Sequence, residues 1–335
     1  MKPLPSHRTV DRFILELNND LLKKLMKSQV LKLSKMGIID TSFIALDSTP
    51  VSANTRQNNP KSFAKNKFSK DNQPRSDKDC GLGVHTASNQ HNERNFEYYW
   101  GYKNHILVDC ITGLPIYELT TSDNVSDSTA ALDILSQTNS FLSVDECTFL
   151  ADKGYDVKAI YNTVKELYHG EYVIPLNKRN TKDPKKLASG HPICEAGLAM
   201  HKNGKLSDNG RTRQKYCCPL KNSKCASCPC DHKNWNNGKK HRGCTKYVTI
   251  SDDYRLSIDR ECISFKKLYA LRTEAERYNS RFKQTGQERL WGHSFNAAQN
   301  LNSVAHIALL AVALAAIVTK SNSSHRCLNS VKRIA

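Results

Sequence analysis

Apolar residues along this chain follow two different periods, and the switches between them mark out the elements. Short runs rich in β-branched and aromatic residues end at turn formers in FIALD (closing on Asp47), Tyr102 to Val108, Pro115 to Leu119, FLAD (closing on Asp152) and EYVIPL, which predicts five strands. Thr112 and Gly113 supply a turn between the second and third, and Asp123 to Asp127 opens a helix. Residues 8 to 37 follow a helical period that stops at Gly37, and a second helical stretch covers 269 to 283. The twelve consecutive apolar residues Ile307 to Val318 fall short of the about eighteen needed to cross a bilayer, and His306 just before them points to a buried helix, not a membrane partner. Strands interleaved with helices imply an α/β fold with a mixed sheet.

The stretch YALRTEAERYNSRFK carries unusual chemistry for a packed helix. On one continuous helix Tyr269, Arg272, Glu276 and Lys283 fall within a wedge of roughly 60°. Buried charges are costly unless paired, whereas an aromatic, a guanidinium, a carboxylate and an ammonium together suit a phosphate backbone and a metal ion. A solvated amphipathic face is the other reading of the same spacing. Upstream, Asp47 and Asp152 each read as a carboxylate at the C-terminal tip of a strand, Asp47 before a Pro-containing turn and Asp152 beside Gly154. An aspartate after a strand also serves as a turn former or helix cap.

These motifs resemble the bacterial insertion-sequence transposases of the DDE type, whose third acid stands in a Y-(2)-R-(3)-E-(6)-K signature that Tyr269, Arg272, Glu276 and Lys283 match at every spacing. The resemblance selects Glu276 over Glu274 and extends from about residue 40 to 320. It implies a ribonuclease H-like mixed sheet flanked by helices. It also implies that Asp47, Asp152 and Glu276 bind two Mg²⁺ (or Mn²⁺) ions for cleavage at transposon ends and strand transfer by in-line phosphodiester displacement. Tyr269, Arg272 and Lys283 would bind DNA, the partners being terminal inverted repeats and target DNA, with a homodimer or larger complex as the active form. A metal-dependent nuclease without strand transfer and an inactive DNA-binding protein of the same fold are the alternatives. Lys103 and His105 read either as residues that approach the substrate or as part of an exposed hairpin edge, the second reading being favoured for each.

Charge agrees with a polyanionic partner. The net charge of +18 sits in two polar segments: residues 178–246 hold 17 Lys and Arg against 4 Asp and Glu, and residues 52–76 hold 6 against 1. Both read as loops or inserts able to hold phosphates without reading sequence, or as self-repelling disordered stretches. Seven of the twelve cysteines also fall in 178–246, with Cys225 and Cys228 spaced to share one ion. Some members of the resembled family carry a cysteine cluster here, and its pattern falls on Cys218, Cys225, Cys228 and Cys244, implying a structural Zn²⁺. Without an apolar N-terminal signal, a cytoplasmic, nucleoid-associated location and reduced thiols are expected.

The expected organisation is therefore an N-terminal helical segment over 1–39, a catalytic domain in two parts (40–177 and 247–320), a basic Cys-rich insertion at 178–246 and a tail at 321–335. The N-terminal segment is shorter than that of full-length members of the resembled family, which suggests a truncated copy.

Overall fold

The structure is a computed structural model describing residues 5–63, 65–88, 94–177, 191–208, 211–220, 229–230, 232, 243–250, 254–260 and 262–320. The chain divides into two compact units, one comprising Met1–Leu176 with Ile258–Ala335 and the other Asn177–Ser257.

In the larger unit, helices α1 (His7–Glu16) and α2 (Asn19–Lys35) lead into strand β1 (Phe43–Ser52). There follow β2 (Gly81–Ser88), β3 (Arg94–Asp109), β4 (Pro115–Ser122), α3 (Asp127–Asn139), β5 (Thr148–Leu150), α4 (Lys158–Asn162) and β6 (Glu171–Val173). β1 pairs antiparallel with β3 and parallel with β5, which in turn pairs parallel with β6. β4 lies on the far side of β3, and β2 runs along the outer half of β3. The sheet β4-β3-β1-β5-β6 is the ribonuclease H-like arrangement expected of the five strands. β2 has no counterpart among them, because GLGVHTAS offers two glycines and little alternation.

Residues 8–37 read as one helix but form two. Leu17 is extended (φ −57°, ψ 131°), and the Asn18 side chain accepts from the N–H groups of Asp20 and Leu21, starting α2 afresh. Gly37 ends α2 at φ 71°, a conformation that favours glycine, with Ile38 N–H bonded to Leu33 O at 3.0 Å.

The last helix, α8 (Phe295–Val318), follows α6 (Ile263–Ala270) and α7 (Thr273–Phe282) in this unit. At 24 residues and a mean hydropathy of 2.2 in its most apolar window, α8 is long and apolar enough to cross a membrane, yet half of that window is buried in the protein. Its polar residues explain the placement. Glu118 on β4 accepts from Ser303 at 2.7 Å and from Asn104 at 2.8 Å, and Lys23 of α2 pairs with the same carboxylate. Asn302 donates to Thr120 at 3.0 Å. Asn104 Nδ2 donates to Glu118, so its Oδ1 accepts from His306 Nε2 at 2.8 Å. That leaves His306 Nδ1 to accept from the Tyr278 hydroxyl at 2.5 Å. Burial pushes His306 down to about 4, keeping the ring neutral in this role. One buried network thus ties α2, α8, β3 and β4 to α7 through Tyr278.

The smaller unit carries an antiparallel sheet of β7 (His201–Asp208), β8 (Arg211–Cys217) and β9 (Thr245–Ile250), followed by α5 (Tyr254–Ser257). The sequence of this region reads as loops because its alternating positions are largely charged. β9 is mostly exposed, and the unit's apolar cluster is only Cys194, Met200, Tyr216, Cys218 and Cys244 with partly buried neighbours. Because β9 pairs with β8, the unit extends to Ser257, beyond the charge-defined segment 178–246.

Candidate active site

Asp47 and Asp152 come from neighbouring parallel strands. β1 and β5 pair only from Phe43 with Thr148 to Ala45 with Leu150. Two residues further along each chain segment come Asp47 and, just past the end of β5, Asp152, near enough for its charge to act on Asp47. Asp47 is not at a strand tip, as its sequence suggested: β1 continues to Ser52, and Pro50 lies within it opposite Lys103. Proline is tolerated because its nitrogen shares the side of Ser52 N–H, which faces Glu288 O and not β3. Asp152 has left the strand and caps a 3₁₀ turn at Lys153–Tyr155, its Oδ1 accepting from Gly154 N–H at 2.6 Å. A Cβ at position 154 would meet that oxygen at 2.8 Å, so a larger residue there would displace the Asp152 carboxylate. Burial, then the charges of Asp127, Asp47 and Asp152, hold the Tyr155 hydroxyl well above its ordinary value.

Glu276 arrives from α7. The single helix expected over 269–283 is interrupted at Leu271 and Arg272, where hydrogen bonds run three residues back, from Arg272 to Tyr269 O at 3.1 Å and from Ala275 to Arg272 O at 3.0 Å. The tighter winding between Tyr269 and Glu276 departs from the ideal helix that defines the wedge, whereas Lys283 follows α7 without a break, its N–H bonded to Asn279 O. Arg272 keeps the central position. Its guanidinium binds Glu276 and lies 3.9 Å from Asp47, while its side chain is only 13% exposed. The Tyr269 ring lies beneath it, 5.6 Å from centroid to guanidinium carbon. Lys283 turns instead to Glu288 at 3.4 Å. Glu274, the other acid of the segment, is buried and paired with Arg277.

The electrostatics of Asp47 record the convergence. Burial raises its carboxyl from the usual 3.8 to about 6; Arg272 and the Ser48 N–H oppose the rise, and the charges of Asp152 and Glu276 add to it. Sequence reasoning passed over Asn279, whose Nδ2 donates to Asp47 Oδ2 at 3.0 Å while its buried Oδ1 finds no hydrogen-bond partner among the described residues. The signal was available, since Asn279 lies three residues after Glu276 and shares its helix face. Lys103 and His105 do not reach this group. β3 is an interior strand, so His105 is buried against Thr121 at 2.9 Å and pushed down to about 4 by burial, and Lys103 pairs with Asp127 at 3.2 Å.

Carboxylate oxygens suit a hard divalent ion, and a buried acid whose charge is penalised by two others gains from a nearby cation. Among the described residues, no three His, Cys, Asp or Glu side chains already ring a single point. The guanidinium of Arg272 lies between two of the acids, bonded to Glu276 and 3.9 Å from Asp47. In the smaller unit the buried Cys218 and Cys244 approach each other, and Cys194 and Cys230 lie close enough that all three raise the Cys244 thiol, after burial, to about 12. Cys225 and Cys228 lie outside the described residues.

Three solved transposase structures are similar to the chain. A piggyBac transposase synaptic complex with hairpin DNA shares 10% identity over 80% of this chain and 45% of that one, with a TM-score of 0.35. A Mos1 transposase paired-end complex with the left transposon end shares 12% identity over 51% and 44%, with a TM-score of 0.21. A Mos1 mariner paired-end complex with Mn shares 12% over 53% and 48%, with a TM-score of 0.22. The chain spans under half the length of each, and likeness at this level does not specify an activity. No curated protein sequence matches. The model of the transposase DDE domain family matches residues 39–311, which span all three acids, and the chain belongs to that family.

Proposed function

We propose that this chain is a DNA transposase that cuts DNA at transposon ends and joins the freed end to target DNA, with Asp47, Asp152 and Glu276 as its catalytic carboxylates. The single observation that carries the reading is that Arg272 binds Glu276 while lying 3.9 Å from Asp47, on the strand that pairs in parallel with the one leading to Asp152. The three acids would hold two Mg²⁺ or Mn²⁺ ions, which when bound supply Lewis-acid stabilisation of the attacking and leaving oxygens. Asn279 fixes one oxygen of Asp47, Gly154 N–H fixes one of Asp152, and Arg272 orients Glu276. Arg272 also offers a guanidinium to the phosphate, with Tyr269 bracing it from below. Lys283, two turns beyond Glu276, would grip a neighbouring phosphate.

The partners of this reading are the element's terminal repeats and target DNA, bound by a dimer or larger assembly in the cytoplasm. We further propose a structural Zn²⁺ in the smaller unit, with Cys218 and Cys244 as two of its ligands. Incubating the purified chain with Mg²⁺ and duplexes bearing the flanking inverted repeats tests the activity. Nicked and joined products support a transposase, nicks alone indicate a nuclease, and binding without either leaves only a DNA-binding protein.

A further inference from the structure

A groove of about 1300 Å³ opens where the end of β1 meets the outer half of the β2–β3 hairpin. It is larger than the roughly 300–1,000 Å³ of small-molecule clefts, which favours a length of polymer. Arg56, Lys67, Lys283 and Arg289 line it against two carboxylates, Glu97 and Glu288, and Glu288 is already engaged by Lys283. Phe96 and Tyr98 also line it and are 58% and 51% exposed. They alternate along β3, so they share a face and stand about 6.6 Å apart, close to twice the roughly 3.4 Å step between successive bases. Trp100 is third in that row and is buried. Its indole N–H donates to Lys67 O at 2.8 Å, and its backbone is bonded to the Asn58 side chain, so the basic wall is fastened to the aromatic row.

We propose that this groove binds an unpaired stretch of DNA, its bases stacked on Phe96 and Tyr98 and its phosphates held by Arg56, Lys283 and Arg289. The inference rests on the DNA-cleaving reading above and adds to it the state of the strand. A duplex presents phosphates and base edges, whereas an exposed aromatic row beside basic side chains suits bases that have left the stack. Placement agrees. Ser52, on the groove, lies five residues along β1 from Asp47, about 16 Å, and Lys283 closes the helix that carries Glu276. A strand leaving the carboxylates reaches the groove within a few nucleotides.

The test is fluorescence anisotropy with the full chain in EDTA at fixed salt, using one sequence as a blunt duplex, as the same duplex with an unpaired tail of about six nucleotides, and as a single strand. The wild type should prefer the tailed duplex over the blunt one by about tenfold or more. In the double variant Phe96→Ala, Tyr98→Ala that preference should fall to about twofold or less while blunt-duplex affinity is kept, since stacking contributes roughly five- to hundredfold per base. A 2-aminopurine in the tail should be quenched by the wild type and not by the variant. Both side chains are over half exposed, so the variant keeps its fold. Equal affinity of the wild type for tailed and blunt DNA, or equal loss on both in the variant, overturns the groove alone; failure to bind any of the three DNAs overturns the transposase reading as well.

Discussion

Replacing Asp47 by Asn should stabilise the protein while silencing it. The carboxyl of Asp47 is raised from 3.8 to about 6 in the folded chain, and a rise of that size corresponds to about 3 kcal/mol against the charged form. With relaxation around the new amide, the expected gain at neutral pH is about 1–3 kcal/mol, or several degrees in Tm for a unit of this size. The pH dependence has a definite sign. Between about pH 4 and 6 the folded chain keeps a proton that the unfolded chain has released, so stability from this group falls as pH rises through that window and stays low above it. Thermal melts in EDTA should therefore show wild type and Asp47→Asn coinciding near pH 4 and separating by pH 7, the variant melting higher. Mg²⁺ at millimolar concentration should raise the wild-type Tm and leave that of the variant nearly unchanged. A variant that melts lower at pH 7, or an equal Mg²⁺ effect on both proteins, refutes the reasoning.

Three further outcomes follow from particular contacts. Asn279→Ala frees Asp47 Oδ2 and should raise the Mg²⁺ concentration for half-maximal cleavage by about tenfold or more with DNA affinity unchanged, as read from metal titrations of the cleavage rate; an unchanged titration argues against a positioning role. Lys23→Ala leaves Glu118 buried without its cation and should cost about 3–5 kcal/mol in urea denaturation, a loss below about 1 kcal/mol contradicting the network. Metal analysis should find about one zinc per chain, abolished by Cys244→Ser; zinc that survives this change, or no zinc at all, discards the site.

The five core strands were legible because each contains a short apolar run closed by a turn former, and so were the positions of Asp47 within β1 and of Asp152 just past β5. What the pattern could not show was geometry set by partners. Asp47 reads as a strand end because Pro50 follows it, yet β1 runs on, since its edge beyond Ala45 is no longer paired with β5 and a missing N–H there is harmless. Helical spacing identified Arg272 and Glu276 as one face but missed the 3₁₀ break at Leu271–Arg272, which carries no glycine or proline to announce it. Asn279 was passed over because a neutral amide attracts no notice beside four charged or aromatic neighbours, though its spacing from Glu276 placed it. The three-stranded sheet of the smaller unit stayed hidden because its strands alternate charged residues with few apolar ones, leaving almost no hydrophobic period to read.

The central claim is that Asp47, Asp152 and Glu276 act together on one phosphodiester bond. Its most direct test is the single-turnover cleavage rate on a duplex carrying the inverted-repeat end, in Mg²⁺, for the wild type, Asp47→Asn, Asp152→Asn and Glu276→Gln, with DNA affinity measured alongside. The account predicts wild-type cleavage, a loss of about a thousandfold or more in each variant, and affinities within a few-fold of one another. Cleavage that persists when any one of the three is neutralised would contradict it.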